Sequence, residues 1–409
     1  MTLPTIENQS QAFSSDPYFT YVSKIMRIEE KDWGIEKQNF IIRYRGKLYG
    51  ESSEAYDKLA KSLQELDITP LFRLEEDRHT IVLIKGIVKP RPSNKLINLV
   101  LFILTVFSVL FAGVYSNYLG PNVLDLDLDQ IWPHFLEAFK LGLAFTVSLL
   151  AILLAHEFGH YLAARYHKTI VTLPYFIPFP LSPFGTMGAF IQLKEPPKNK
   201  RILLDIGIAG PLAGLVIAIP VLFIGLSLSE VERLPMLIDQ PLWMEGNSIL
   251  YLLAKFIVFD QWLPSPGGFG ALNPLIYWVR YFFTGFPFPF YGIDVLLHPV
   301  AWAGWAGLLV TALNLIPAGQ LDGGHILYAL LGKKSRMVLP FVLVALIALG
   351  TVWSGWWLWA LLIFLLGRVH AEPLDQITPL DPNRKVLAVF GLLVFILVFT
   401  PVPLIIFGV

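Results

Sequence analysis

His156, Glu157 and His160 are the residues in this chain best suited to do chemistry. In a helix, positions 156 and 160 lie on one face a turn apart, so both imidazoles can reach a single metal ion. Glu157 is turned roughly 60–100° from them, near enough to activate a water beside that ion without ligating it. This H-E-x-x-H spacing builds a metal-assisted hydrolytic centre. The run before it, Leu141 to Leu154, is almost wholly apolar. Each ionisable side chain in a bilayer-embedded helix costs roughly 2.5–3.5 kcal/mol, so such groups are rarely carried without a function.

Two histidines leave a catalytic zinc site one protein ligand short. The chain has no cysteine, so the third ligand must be His, Asp or Glu. The candidate is Asp322, in the segment that runs from Asn314 through Pro317 and Gly319 to Gly323, Gly324 and His325. Pro317 and Gly319 should break the apolar helix before it, freeing backbone groups that need a packed or wet environment. Depth agrees: His160 is one to two turns from the cytoplasmic end of its helix, and Asp322 is about 16 Å from basic Lys333 at the helical rise. His325 reads as a packing neighbour of the site.

The elements that must position these groups are membrane helices. The chain is 55% hydrophobic and 15% charged, against roughly 25% charged in soluble domains. Its net charge of zero gives no basic field for nucleic acid. Met1 to Tyr18 lacks the apolar core of a secretory signal. Residues 1–16 are expected to be disordered, and 17–93 to form a small soluble α+β domain. Its strands are expected at 40–44, 71–74 and 80–84, with a helix capped by Ser52 or Ser53. Lys89-Pro90-Arg91-Pro92 links it to a transmembrane domain over 94–409, with a core at about 139–331.

Helices are expected at about 97–117, 139–166, 203–227, 298–317, 338–353, 355–370 and 386–408, in a lipid bilayer. Residues 228–297, rich in Pro, Gly and aromatics, read as an insertion lying on or in a non-cytoplasmic membrane surface. Basic residues cluster in alternate connections: Lys89, Arg91 and Lys95; Lys198, Lys200 and Arg201; Lys333, Lys334 and Arg336; Arg384 and Lys385. The positive-inside rule then gives a cytoplasmic N-terminus, in the cell membrane of a prokaryote. Arg165 and His167 read as interfacial side chains, and Gly207, Gly210 and Gly214 as close-packing positions. His134, His298 and His370 have no partner motif.

With His156-Glu157-x-x-His160 in one span and Asn314-x-x-Pro317-x-x-x-x-Asp322-Gly323 in a later one, the chain resembles the site-2 protease family of intramembrane zinc metalloproteases. The soluble domain ahead of the first span is similar to that of a PDZ-lacking subgroup. The resemblance implies a polytopic all-α bundle of about seven helices with a re-entrant β-loop and a small N-terminal α+β domain. It implies Zn2+ held by His156, His160 and Asp322, Glu157 as the catalytic residue, and Asn314 on the substrate backbone or the oxyanion. The segment Pro183–Phe190 resembles the family's substrate-binding β-loop, which brings in Gly185 and Gly188. The implied activity is a zinc metalloendopeptidase acting on transmembrane protein substrates. A homo-oligomer is compatible with the residues but not required by them. The competing class is a transmembrane ion or zinc transporter using the same His, Glu and Asp cluster, although the paired broken helices common in transporters are missing from the pattern.

Overall fold

The computed structural model describes residues 16–35, 39–87, 93–118, 127–234, 242–366 and 372–407. The N-terminal segment up to residue 15, the linker Lys89–Pro92 and His370 lie outside the described residues. The chain divides into two compact units.

The first unit takes the described part of residues 1–91 together with 194–203 and 371–382. It contains α1 (Phe19–Val22), β1 (Met26–Trp33), β2 (Ile42–Leu48), α2 (Ser52–Leu63), β3 (Ile68–Glu75) and β4 (Arg78–Lys85). The antiparallel sheet has the order β1-β2-β4-β3. Tyr56, Leu59 and Leu63 of α2 share its core with Met26, Ile42, Tyr44, Phe72, Ile81 and Leu83. Glu76 and Asp77, with φ of 48° and 60°, supply the twist of a tight turn between β3 and β4. Strand β1 is not among the expected strands. It buries only Met26 and is otherwise mostly charged, so no apolar alternation marks it.

Ser52 and Ser53 do not cap α2. The N-cap position is Glu51, without a side-chain cap bond, and Ser52 Oγ instead donates to Asp375 Oδ1 at 3.0 Å. Fully buried Asp375 also accepts from the Ile377 and Thr378 amides at 2.8 and 3.2 Å and from the Thr378 hydroxyl. Around it, residues 374–376 run along β3. The Phe72 amide donates to the Leu374 carbonyl at 2.9 Å, and the Gln376 amide to the Phe72 carbonyl at 3.0 Å. On the other side, the Leu374 and Asp375 amides donate to the Pro197 and Lys198 carbonyls at 3.1 and 2.7 Å. The edge of the sheet is thus covered by chain from two distant loops, which removes an open template for strand pairing.

The second unit begins with α3 (Lys95–Tyr118), α4 (Leu128–Tyr166), the hairpin β5 (Tyr175–Pro178) and β6 (Thr186–Phe190), and the main part of α5 (Lys200–Ser227). At 24, 39 and 28 residues, α3, α4 and α5 are long and apolar enough to cross a membrane. Next come β7 (Glu230–Arg233), β8 (Leu242–Glu245), α6 (Ile249–Phe259), α7 (Pro274–Thr284) and β9 (Ile293–Leu296). The unit ends with α8 (Pro299–Asn314), α9 (Asp322–Leu331), α10 (Leu339–Leu349), α11 (Gly355–Leu366), α12 (Pro382–Val398) and β10 (Leu404–Phe407). A helix overlaps each expected span, with different ends. Helix α4 starts at Leu128 rather than 139, and α8 stops at Asn314, ahead of Pro317. Helix α12 stops at Val398 rather than 408. Pro401 and Pro403 cannot extend it, and Leu404–Phe407 pairs with β8 instead. Leu96, Leu99, Phe107 and Phe111 of α3 and Val386, Phe390, Leu393 and Ile396 of α12 stay exposed, faces suited to lipid.

The 228–297 insertion has a polar core. Lys255 is wholly buried, 3.6 Å from Asp294, and the Tyr251 hydroxyl donates to Glu245 at 2.8 Å. Burial, helped by the Asp294 charge, pushes the Glu245 carboxyl above the usual carboxylate range.

Removing Asp375 leaves its buried donors unpaired. Asp375→Ala should destabilise the first unit by about 2–4 kcal/mol. Pulse proteolysis in urea checks this: an early cut within 371–382 is expected, and wild-type protection would contradict the role given to Asp375.

Candidate metal centre

Helix α4 carries His156, Glu157 and His160 near its C-terminal end, all three buried. It approaches α5 through glycine. A Cβ on Gly159 would lie 2.5 Å from the Ala209 carbonyl oxygen, and one on Gly210 would lie 2.1 Å from His160 Nε2. A Cβ on Gly214 would be 3.2 Å from His156. These glycines are packing positions, and what packs against Gly210 and Gly214 is the pair of imidazoles.

Asp322 arrives by a sharp reversal. Helix α8 ends at Asn314, Gly319 takes a φ of 61°, and α9 opens on Asp322. The start of α9 lies so close to the turn before it that a Cβ on Gly323 would fall 1.9 Å from the Leu315 carbonyl oxygen. Only glycine fits there. His325 does not join the cluster; it packs at Gly207, whose Cβ would be 3.1 Å from the His325 Cβ.

The three donors converge. His156 Nε2 and His160 Nε2 are 3.2 Å apart, and Asp322 Oδ2 is 3.4 and 3.3 Å from them. Ligand atoms about 2.0–2.1 Å from one tetrahedral ion are about 3.3–3.4 Å from each other. The triangle therefore has the edge lengths of a tetrahedral site with one corner open. It is the group of metal-capable side chains found among the described residues. His160 Nδ1 lies 2.7 Å from the Ile206 carbonyl. A carbonyl only accepts, so that nitrogen carries the proton and Nε2 turns its lone pair to the other donors.

Glu157 is next to this triangle but outside it. It is 5% exposed, and its Oε2 is buried without a hydrogen-bond partner among the described residues. A desolvated carboxylate oxygen with nothing to accept from is costly unless the site supplies a donor. Asn314 Nδ2 is 3.4 Å from His156 Nε2, at the rim of the same cluster.

Gly185 and Gly188 are placed differently from the metal-facing residues. Gly185 has a φ of 71°, its carbonyl accepts from Ser108 Oγ at 2.6 Å, and a Cβ would meet Ser108 and Val109 of α3 at 2.5 Å. It is a turn glycine clamped on α3. Gly188, at φ 98°, has open space where a Cβ would point. Strands β5 and β6 pair from Tyr175↔Phe190 to Pro178↔Thr186.

Other histidines acquire local partners. His298 Nδ1 accepts from the Val300 amide at 3.3 Å and caps α8, and His134 Nε2 is 2.9 Å from the Tyr118 carbonyl. His167 is not a free interfacial side chain, since its Nε2 is 2.8 Å from Asp205. Asp205, the Ile206 carbonyl and the Gly210 gap all come from α5, which carries no metal-binding motif.

Residues 144–352 match the model of peptidase family M50. The chain belongs to that family. It is 30% identical over 396 residues to the probable zinc metalloprotease EGY1, chloroplastic, of Arabidopsis thaliana, covering 88% of this chain and 66% of that protein. It is 29% identical over 397 residues to the EGY1 protein of Oryza sativa subsp. japonica, covering 89% of this chain and 62% of that one. The probable zinc metalloprotease EGY2 of Oryza sativa subsp. indica is 29% identical over 373 residues, covering 88% and 62%. The chain thus spans just under two thirds of the length of these relatives. No solved structure matches it. Family and helices together make it a helical membrane protein with a small sheet unit.

If the triangle is the metal site, Asp322→Ala should weaken metal binding at least about tenfold, while His325→Ala retains most of it. Metal analysis of protein equilibrated with a competing chelator checks both, and wild-type retention in Asp322→Ala would remove the third-ligand assignment.

Proposed function

We propose that this chain is a zinc-dependent endopeptidase that hydrolyses peptide bonds in or near transmembrane segments of membrane-protein substrates. The observation that carries the reading is the donor triangle with 3.2–3.4 Å edges beside the orphaned Oε2 of Glu157. His156, His160 and Asp322 would hold the ion. Zinc bound there supplies Lewis acidity that polarises the scissile carbonyl and acidifies water.

Glu157 Oε2 takes the proton of the attacking water and then hands it to the leaving amine. Asn314 Nδ2 donates to the oxyanion, as a fixed dipole that needs little reorganisation. His160 is kept in its metal-binding tautomer by the Ile206 carbonyl. A substrate helix hides its carbonyls in its own hydrogen bonds, so it must unwind before attack. Strand pairing along the β5–β6 hairpin would satisfy the freed groups, the hairpin acting as a re-entrant loop. Gly188 leaves that surface open, whereas Gly185 supports the reading only by shaping the turn.

The proposed topology has about seven crossings, a cytoplasmic N-terminus and the insertion on the far side, as the basic clusters suggest. Its proposed setting is the cell membrane of a prokaryote, although the named relatives are chloroplast proteins. The transporter reading gains no support from relatives named as metalloproteases.

Glu157→Gln keeps shape and hydrogen-bonding reach but removes the base. It should accumulate normally, keep its zinc, and lose roughly 10²–10⁴-fold in cleavage of a single-span substrate in proteoliposomes. A mutant that cleaves at the wild-type rate would refute the assignment. Zinc flux by the wild type with no proteolysis would favour the transporter.

A further inference from the structure

Asp205 belongs to no motif, yet it joins three helices at the end of the bundle nearest the metal centre. Arg384, on α12, grips it with two parallel bonds: Nε to Oδ1 at 2.8 Å and Nη2 to Oδ2 at 2.6 Å. His167, at the C-cap of α4, places Nε2 2.8 Å from Oδ2. The Asp205 side chain is 18% exposed and that of His167 16%, so the cluster is sheltered from full solvent screening. A forked Arg–carboxylate pair fixes direction as well as distance.

The position of this clamp matters because of what lies next to it. His167 follows His160 by seven residues, two helical turns, so both rings leave α4 on the same side, towards α5. They meet consecutive residues there. His167 meets the Asp205 carboxylate, and His160 Nδ1 meets the Ile206 carbonyl at 2.7 Å. One turn further along α5, Gly210 provides the gap in which the His160 ring lies. The same few residues of α5 thus hold the end of α4, the tautomer of a metal ligand and the space for its ring.

We infer that Asp205 is a positioning residue for the metal centre: pinned by Arg384 and paired with His167, it sets the register of α5 against α4 so that the Ile206 carbonyl meets His160. A slip of about 1 Å would stretch that bond out of hydrogen-bonding range. The proton of His160 would then have no fixed acceptor at Nδ1, and the tautomer protonated at the metal-facing Nε2 would compete. Asp205 touches neither substrate nor metal in this account and acts only through His160.

The inference rests on the zinc reading above, and its test separates the two. Purified full-length protein is titrated with Zn2+ against a chromophoric chelator, and Co2+ spectra are recorded at saturation. Asp205→Ala should bind zinc about 10–100-fold more weakly, the usual effect of losing support behind a metal ligand. Its Co2+ bands should shift even at a matched melting temperature, which a merely structural loss would not cause. Asp205→Asn keeps an oxygen for Arg384 and should recover part of the affinity. Arg165→Gln, exposed on the same last turn of α4, should behave as wild type. If Asp205→Ala does not accumulate, His167→Ala carries the test, because it removes the α4 contact and leaves the Arg384 fork; weaker zinc binding is expected there too. Wild-type affinity and Co2+ bands in Asp205→Ala, or in His167→Ala where that variant carries the test, would overturn the inference and leave the zinc reading intact. A wild-type protein that binds no zinc would instead sink the reading itself.

Discussion

The structure turns on the cost of putting Glu157, Asp322 and two imidazoles inside an apolar helix bundle. Charged groups in such surroundings must be paired, ligated or neutralised. Two helices and a reversed turn bring three of the four to mutual distances of 3.2–3.4 Å, close enough to share one cation. The approach is possible only because side chains are missing where rings must fit, at Gly210 and Gly214, and where backbone must fold on itself, at Gly323 and Gly324. The proposed chemistry is a consequence: a cation that balances the donors would also activate water beside Glu157, whose Oε2 has no other partner among the described residues.

The part of the site that could be read in advance is the part with ionisable side chains. His156, Glu157 and His160 are marked by helical spacing, and Asp322 by its place after Pro317 and Gly319. The part contributed by α5 could not be read that way. The Ile206 carbonyl carries no residue-type signal, and Gly210 reads as a close-packing position with nothing to show that an imidazole fills its gap. Asp205 looks like an ordinary charge at a helix start until Arg384, 179 positions away, is seen to grip it. Sequence patterns report side chains with periodicity and small residues that pack closely, but not which ring or backbone group meets them.

The same limit applies to the fold. Helices with long apolar runs sit near where hydropathy puts them, while their ends follow local chemistry such as Pro401 and Pro403 after α12. The small sheet unit is built partly from residues 194–203 and 371–382, connections with no strand pattern of their own that run into the first residues of α5 and α12. Residues 374–376 belong to the unit through backbone pairing with β3 and the buried carboxylate of Asp375, and residues 197–198 through pairing with 374–375 in turn. Lys255, fully buried in an apolar stretch of the insertion, is legible only once Asp294 and Tyr251 are seen beside it.

The central claim is that two imidazoles and one carboxylate hold one zinc ion in a four-coordinate site. X-ray absorption at the zinc edge on purified, metal-loaded protein tests it most directly. The account predicts a four-coordinate shell of nitrogen and oxygen at about 2.0–2.1 Å, with outer-shell scattering from two imidazole rings. A shell with three or more imidazoles, or a six-coordinate hydrated ion with no ring scattering, would contradict it.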